Sequence, residues 1–100
     1  MLEKGIEQAR AGLWDQAVVL FNQAVAASTA DPGIKPKAAA RAHWDLGLAY
    51  EYTGRFDEAY SEIRKAYELT NEPEYGQELM NVKKMKEEKE ELKKQLENKQ

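Results

Sequence analysis

Between Ala40 and Pro73 the hydrophobic positions fall at the three-to-four-residue spacing of amphipathic helices. Leu46 and Tyr50 form one inward stripe, and Ile63 and Ala66 form a second. Gly54 lies between the two stripes. It tolerates positive φ, so it can end the first helix within a short turn. Asp57 and Glu58 then open the second helix, where acidic side chains oppose its positive end. Gly47 and Ala59 have little or no side chain, so they mark where the two helices approach each other most closely.

A weaker copy of this unit precedes it. Gly5 and Gly12 stand seven apart, as do Gly47 and Gly54. Trp14-Asp15-Gln16-Ala17 mirrors Phe56-Asp57-Glu58-Ala59, and Phe21 and Ala24 mirror Ile63 and Ala66. Every pair is offset by 42 residues. A 34-residue unit therefore leaves about eight extra residues between the copies. They fall around Ser28–Pro36, where Pro32, Gly33 and Pro36 predict a loop and Pro36 suits the first turn of the following helix. The first helix of the earlier copy has few residues before it, so either it has lost its first turn or the chain begins inside a longer array.

The last segment departs from the pattern. Asn71 followed three residues later by Glu74 suggests a capping box, with Asn71 as N-cap of a long polar helix. Tyr75, Leu79, Val82, Met80 and Met85 are the candidates for packing back on the preceding unit. Beyond Met85 only Leu92 and Leu96 are apolar, and they continue a loose three-four spacing that Lys89 interrupts.

Residues 40–73 resemble a tetratricopeptide repeat, whose pattern runs Trp, two residues, Leu-Gly, two residues, Tyr, then Ala, three residues, Phe, and a later Pro. Leu46, Gly47, Tyr50 and Ala59 fit it directly, and Ile63 replaces the aromatic. His43 takes the Trp slot with Trp44 one residue on, and Asn71 takes the Pro slot with Pro73 two residues on. The resemblance implies an all-α fold, a right-handed α-α superhelix of helical hairpins. It divides the chain into a degenerate repeat over 1–30, an inserted loop over 31–36, a second repeat over 37–71, and a capping helix over 72–98 with a frayed end. Repeat arrays need a terminal element with a polar outer face, a role the last helix suits.

Composition narrows the function classes. The chain has no cysteine, which excludes disulfides, thiolate metal sites and cysteine nucleophiles. No apolar run is long enough to span a bilayer and no export signal is visible, so a cytoplasmic location is the expectation. The net charge of −3 divides into −5 over residues 1–82 and +2 over residues 83–100. A weakly acidic body lacks the concentrated basic face that phosphate backbones require, and the tail mixes both signs. Neither nucleic acid nor a membrane is an expected partner.

Candidate chemistry is sparse. His43 is the only histidine, and no motif supplies a nucleophile or an orienting acid for it. Its slot in the repeat assigns it a structural, half-buried role. Asp57-Glu58 and Glu87-Glu88 are adjacent on helices and project in different directions, which suits neither acid-base catalysis nor a metal. The expectation is a protein that is not an enzyme, with no cofactor and no metal.

The resemblance also implies a binding surface, because the first helix of each repeat lines the concave side of the superhelix. On the second repeat that face carries Arg41, Trp44, Leu48, Glu51 and Tyr52, with Trp44, Leu48 and Tyr52 four residues apart in one stripe. Its register mates include Leu2 and Ile6 in the first copy and Glu78, Val82 and Met85 in the last helix. Such a groove is apolar and aromatic at its centre, and it suits a peptide or an amphipathic helix of another protein. The alternative occupants of the stripe are the chain's own last helix and a second copy. Homo-oligomerisation through the C-terminal helix, or by end-to-end stacking of repeats, is the competing function.

Overall fold

Proline and glycine set the boundaries of the helices. The computed structural model describes residues 13–98, and every regular element among them is an α-helix. These are α1 (Trp14–Ala30), α2 (Pro36–Tyr52), α3 (Phe56–Thr70) and α4 (Pro73–Asn98). Pro36 is the first residue of α2, where its missing N–H is no loss and its fixed φ is already helical. Gly54, at φ 77°, ends α2. Its N–H donates to the Glu51 carbonyl at 3.1 Å and that of Arg55 to the Tyr50 carbonyl at 2.8 Å, the paired bonds of a Schellman motif.

Asn71 corrects the capping-box expectation. It adopts the left-handed conformation at φ 56° and closes α3, its N–H donating to the Tyr67 carbonyl at 2.7 Å. Pro73 begins α4, and the Glu72 carbonyl accepts the N–H groups of Tyr75 and Gly76. Asn both caps helix starts and tolerates positive φ; the proline two residues on fixes which role it takes here.

Each helix packs on the one before it. Ala17, Val18 and Phe21 of α1 bury against Leu46 and Ala49 of α2. Ala59 and Ile63 of α3 bury with Val82 of α4, and Trp44, Phe56, Tyr60, Leu79 and Met85 pack around them. Tyr50 touches both clusters and joins them. Gly47 lies where α2 and α3 are closest: a Cβ there would stand 2.5 Å from Ile63 Cγ1 and 3.3 Å from the Ala59 carbonyl oxygen. The small residues read from the sequence as the close approach occupy it.

The long helix α4 is unevenly held. Val82 is its one buried side chain, with Leu79 and Met85 half-buried beside it. Met80 is 68% exposed and points away from the face that Leu79, Val82 and Met85 share, so it contributes nothing to the core. Lys89 Nζ donates to the Gly54 carbonyl at 3.1 Å and lies 5.3 Å from the Phe56 ring centroid. From residue 90 to residue 98 every side chain is exposed.

Candidate functional site

Helix α2 presents its stripe between two neighbours, and two aromatic stacks fix the stripe's ends. Trp44 stacks on Tyr75 of α4, with ring centroids 4.6 Å apart and planes inclined at 29°. Tyr52 stacks on Trp14 of α1 at 4.3 Å and 8°. Offset stacks of this kind contribute on the order of 1 kcal/mol beyond the area they bury. The two stacks differ in exposure. Trp44 is half-buried within the α3–α4 core, whereas Tyr52 remains 66% exposed as an aromatic ledge. Leu48, midway along the stripe, is half-buried.

The other residues expected on this face have separate fates. Arg41 is exposed, and its Nε donates to both carboxylate oxygens of Asp45 at 3.2 and 3.4 Å. Asp45 is buried, and that burial lifts its carboxyl above the usual value against the pull of Arg41. Glu51 is half-buried; burial first, then the charge of Glu78 on α4, push its carboxyl up to about 7. Val82 is fully buried against α3 with Met85 packed beside it, so Val82 belongs to the core rather than to an open face; on α4 it is Tyr75 that stacks on Trp44 and Glu78 whose charge acts on Glu51. Leu2 and Ile6 lie outside the described residues.

A second polar group sits between α2 and α3. His43 Nδ1 is 2.8 Å from Glu62 Oε1, and Lys65 Nζ donates to Glu62 Oε2 at 3.1 Å. The His43 and Glu62 side chains are only 13% and 11% exposed. Burial opposes a charge on Glu62, but the hydrogen bonds from His43 and Lys65 outweigh it and hold the carboxyl below its ordinary value. Each partner satisfies the other, and the cluster ties two helices together as the structural reading of His43 expects. Among the described residues no three His, Cys, Asp or Glu side chains converge as metal ligands do, and no helix is long and apolar enough to cross a membrane.

No sequence pattern marks the Trp14–Tyr52 stack. In sequence Trp14 matches Phe56 of the second unit, which packs in the α3–α4 core, so nothing local marked it as a partner for Tyr52. The rotation of α1 against α2 sets the contact.

The described residues thus define an all-helical chain whose second helix carries a half-open aromatic face. The chain belongs to the family described as Domain of unknown function (DUF6340), whose model matches residues 3–98. No curated protein and no solved structure matches it.

Proposed function

We propose that this chain is a non-catalytic protein-interaction module, built from two tetratricopeptide-type helical hairpins in a right-handed superhelix and closed by α4. It holds a peptide or an amphipathic helix of another protein against α2. The observation that carries the reading is the exposed ledge of Tyr52 lying flat on Trp14, one helical turn from the half-buried Leu48. A rigid, amphipathic ring held in place by a second ring loses little conformational entropy on binding, which is why aromatic residues dominate interface hot spots. The superhelical arrangement draws support from the close contact of Gly47 with Ile63 and Ala59, and from the turn at Gly54, both in the slots of the repeat pattern.

The test is a displayed-peptide selection against the full chain, followed by calorimetry of the selected peptides. Tyr52→Ala removes an exposed ring and leaves the core intact. The reading expects at least a tenfold loss of affinity for that variant, and peptides that bind it as tightly as wild type would refute the assignment of this face.

Self-association through α4 is the second reading. One observation favours it: Leu92 and Leu96 are 58% and 57% exposed, one turn apart, beyond the last side chain of α4 that packs on α3. Sedimentation equilibrium distinguishes it, since a chain monomeric at high concentration leaves those leucines without a dimer.

A further inference from the structure

Glu51 stands in the last turn of α2, and its Oε2 is buried without a hydrogen-bond partner. A buried acceptor left unpaired is costly, and far more so when it carries a charge. The charged group facing it among the described residues is another acid, Glu78 of α4. Glu78 itself accepts a hydrogen bond from Asn81 at 3.4 Å. Among the described residues no cation relieves the pair. Arg41 is engaged with Asp45, the Arg55 guanidinium lies over the Tyr50 ring, Lys86 pairs with Asp57, and Lys89 is bonded to the Gly54 carbonyl. Helix α1 contains no Lys or Arg. Burial and like charge both favour a proton on Glu51, which is why its carboxyl rises to about 7.

The acid pair lies beside a weak joint. Helix α4 is held chiefly by α3, and Trp44–Tyr75 is a direct stack between it and α2. Tyr75 is three residues, or nearly one helical turn, from Glu78.

We propose that Glu51 and Glu78 form a proton-operated latch between α2 and α4. With a proton on Glu51 the two carboxyls sit together and α4 stays seated on Trp44. When that proton leaves to solvent, two like charges face each other across a partly buried gap. The start of α4 moves off α2, and Trp44 and Tyr75 are uncovered. What the uncovered rings then bind rests on the interaction reading above; the latch itself does not.

The experiment uses the full chain with Trp14→Phe, which keeps an aromatic ring under Tyr52 and leaves Trp44 as the only tryptophan. Iodide quenching of Trp44 fluorescence is followed from pH 5 to pH 9, with circular dichroism confirming that the helices persist. The latch predicts low quenching in acid, high quenching in base, and a midpoint near the Glu51 value of about 7. Glu51→Gln should hold quenching low throughout, and Glu78→Gln should move the midpoint down by removing the like charge. His43 adjoins Trp44 and is itself ionisable, so His43→Gln must leave the transition in place. Quenching that is flat with pH in the parent chain overturns the proposal. So does a transition that survives Glu51→Gln, an unmoved midpoint in Glu78→Gln, or loss of the transition in His43→Gln.

Discussion

Replacing Gly47 by Ala sets two opposed effects against each other, and the structure decides between them. Glycine inside a helix is roughly 0.5–1 kcal/mol less favourable than alanine, so propensity alone makes Gly47→Ala stabilising. The added methyl, however, would stand 2.5 Å from Ile63 Cγ1, 3.2 Å from Ile63 Cδ1 and 3.3 Å from the Ala59 carbonyl oxygen. Ile63 is fully buried, and Cγ1 is near the root of its side chain, so no rotation of a flexible tip relieves the contact. Overpacking of this kind costs about 1–3 kcal/mol, and the steric effect outweighs the gain in propensity. The expected net change is a loss of about 1–2 kcal/mol, and a domain of this size loses roughly 4–8 °C of Tm per kcal/mol. Urea denaturation followed by circular dichroism measures the change. Ile63→Ala removes both side-chain atoms in the clash. In that background Gly47→Ala should become neutral or stabilising, a coupling of at least about 1 kcal/mol. A stabilising Gly47→Ala in the native background, or the same loss in both, would refute the close approach of α2 and α3.

The two perturbed glutamates predict opposite pH slopes. Glu62 is held below its unbound value of 4.5, so its stabilisation is complete above 4.5 and is lost as pH falls through the lower folded value; Glu62→Gln should flatten that acid limb in urea titrations. Glu51, raised from 4.5 to about 7, contributes most below 4.5 and loses that contribution as pH climbs to about 7. Solvent screening of this half-exposed group limits the loss to about 1 kcal/mol, and Glu51→Gln should remove the slope. Deleting residues 72–100 strips Val82 and Leu79 from Ala59 and Ile63, and should abolish a cooperative thermal transition; an unchanged Tm would make α4 a mere appendage. Deleting 90–100 should shift Tm little, because no side chain from 90 to 98 is buried.

What was legible in the sequence is what local backbone constraints determine. Gly54 at positive φ, Gly47 against Ile63 and Ala59, and Pro36 at the start of α2 each follow from one residue's allowed geometry. Local sequence is ambiguous where one residue type serves two ends. Asn71 satisfies the requirements of an N-cap and of a left-handed C-cap, and only the position of Pro73 separates them. Met80 looked like core by its apolar character, yet its neighbours Leu79 and Val82 define a face it does not share. The stacks Trp44–Tyr75 and Trp14–Tyr52 depend on how each helix is rotated against the next, which no local pattern encodes. Glu51 belongs by sequence to the exposed face of α2, because a carboxylate by type belongs in water; burial in the folded chain, and then the charge of Glu78 on α4, make it a half-buried acid with a raised pKa.

Backbone and aromatic NMR shifts of the full chain, followed as a selected peptide is added, test α2 as the interaction face. Shifts should concentrate at Trp14, Leu48 and Tyr52 and vanish in Tyr52→Ala. Shifts centred on Leu92 and Leu96, or on His43 and Lys65, with Tyr52 silent, would contradict that assignment.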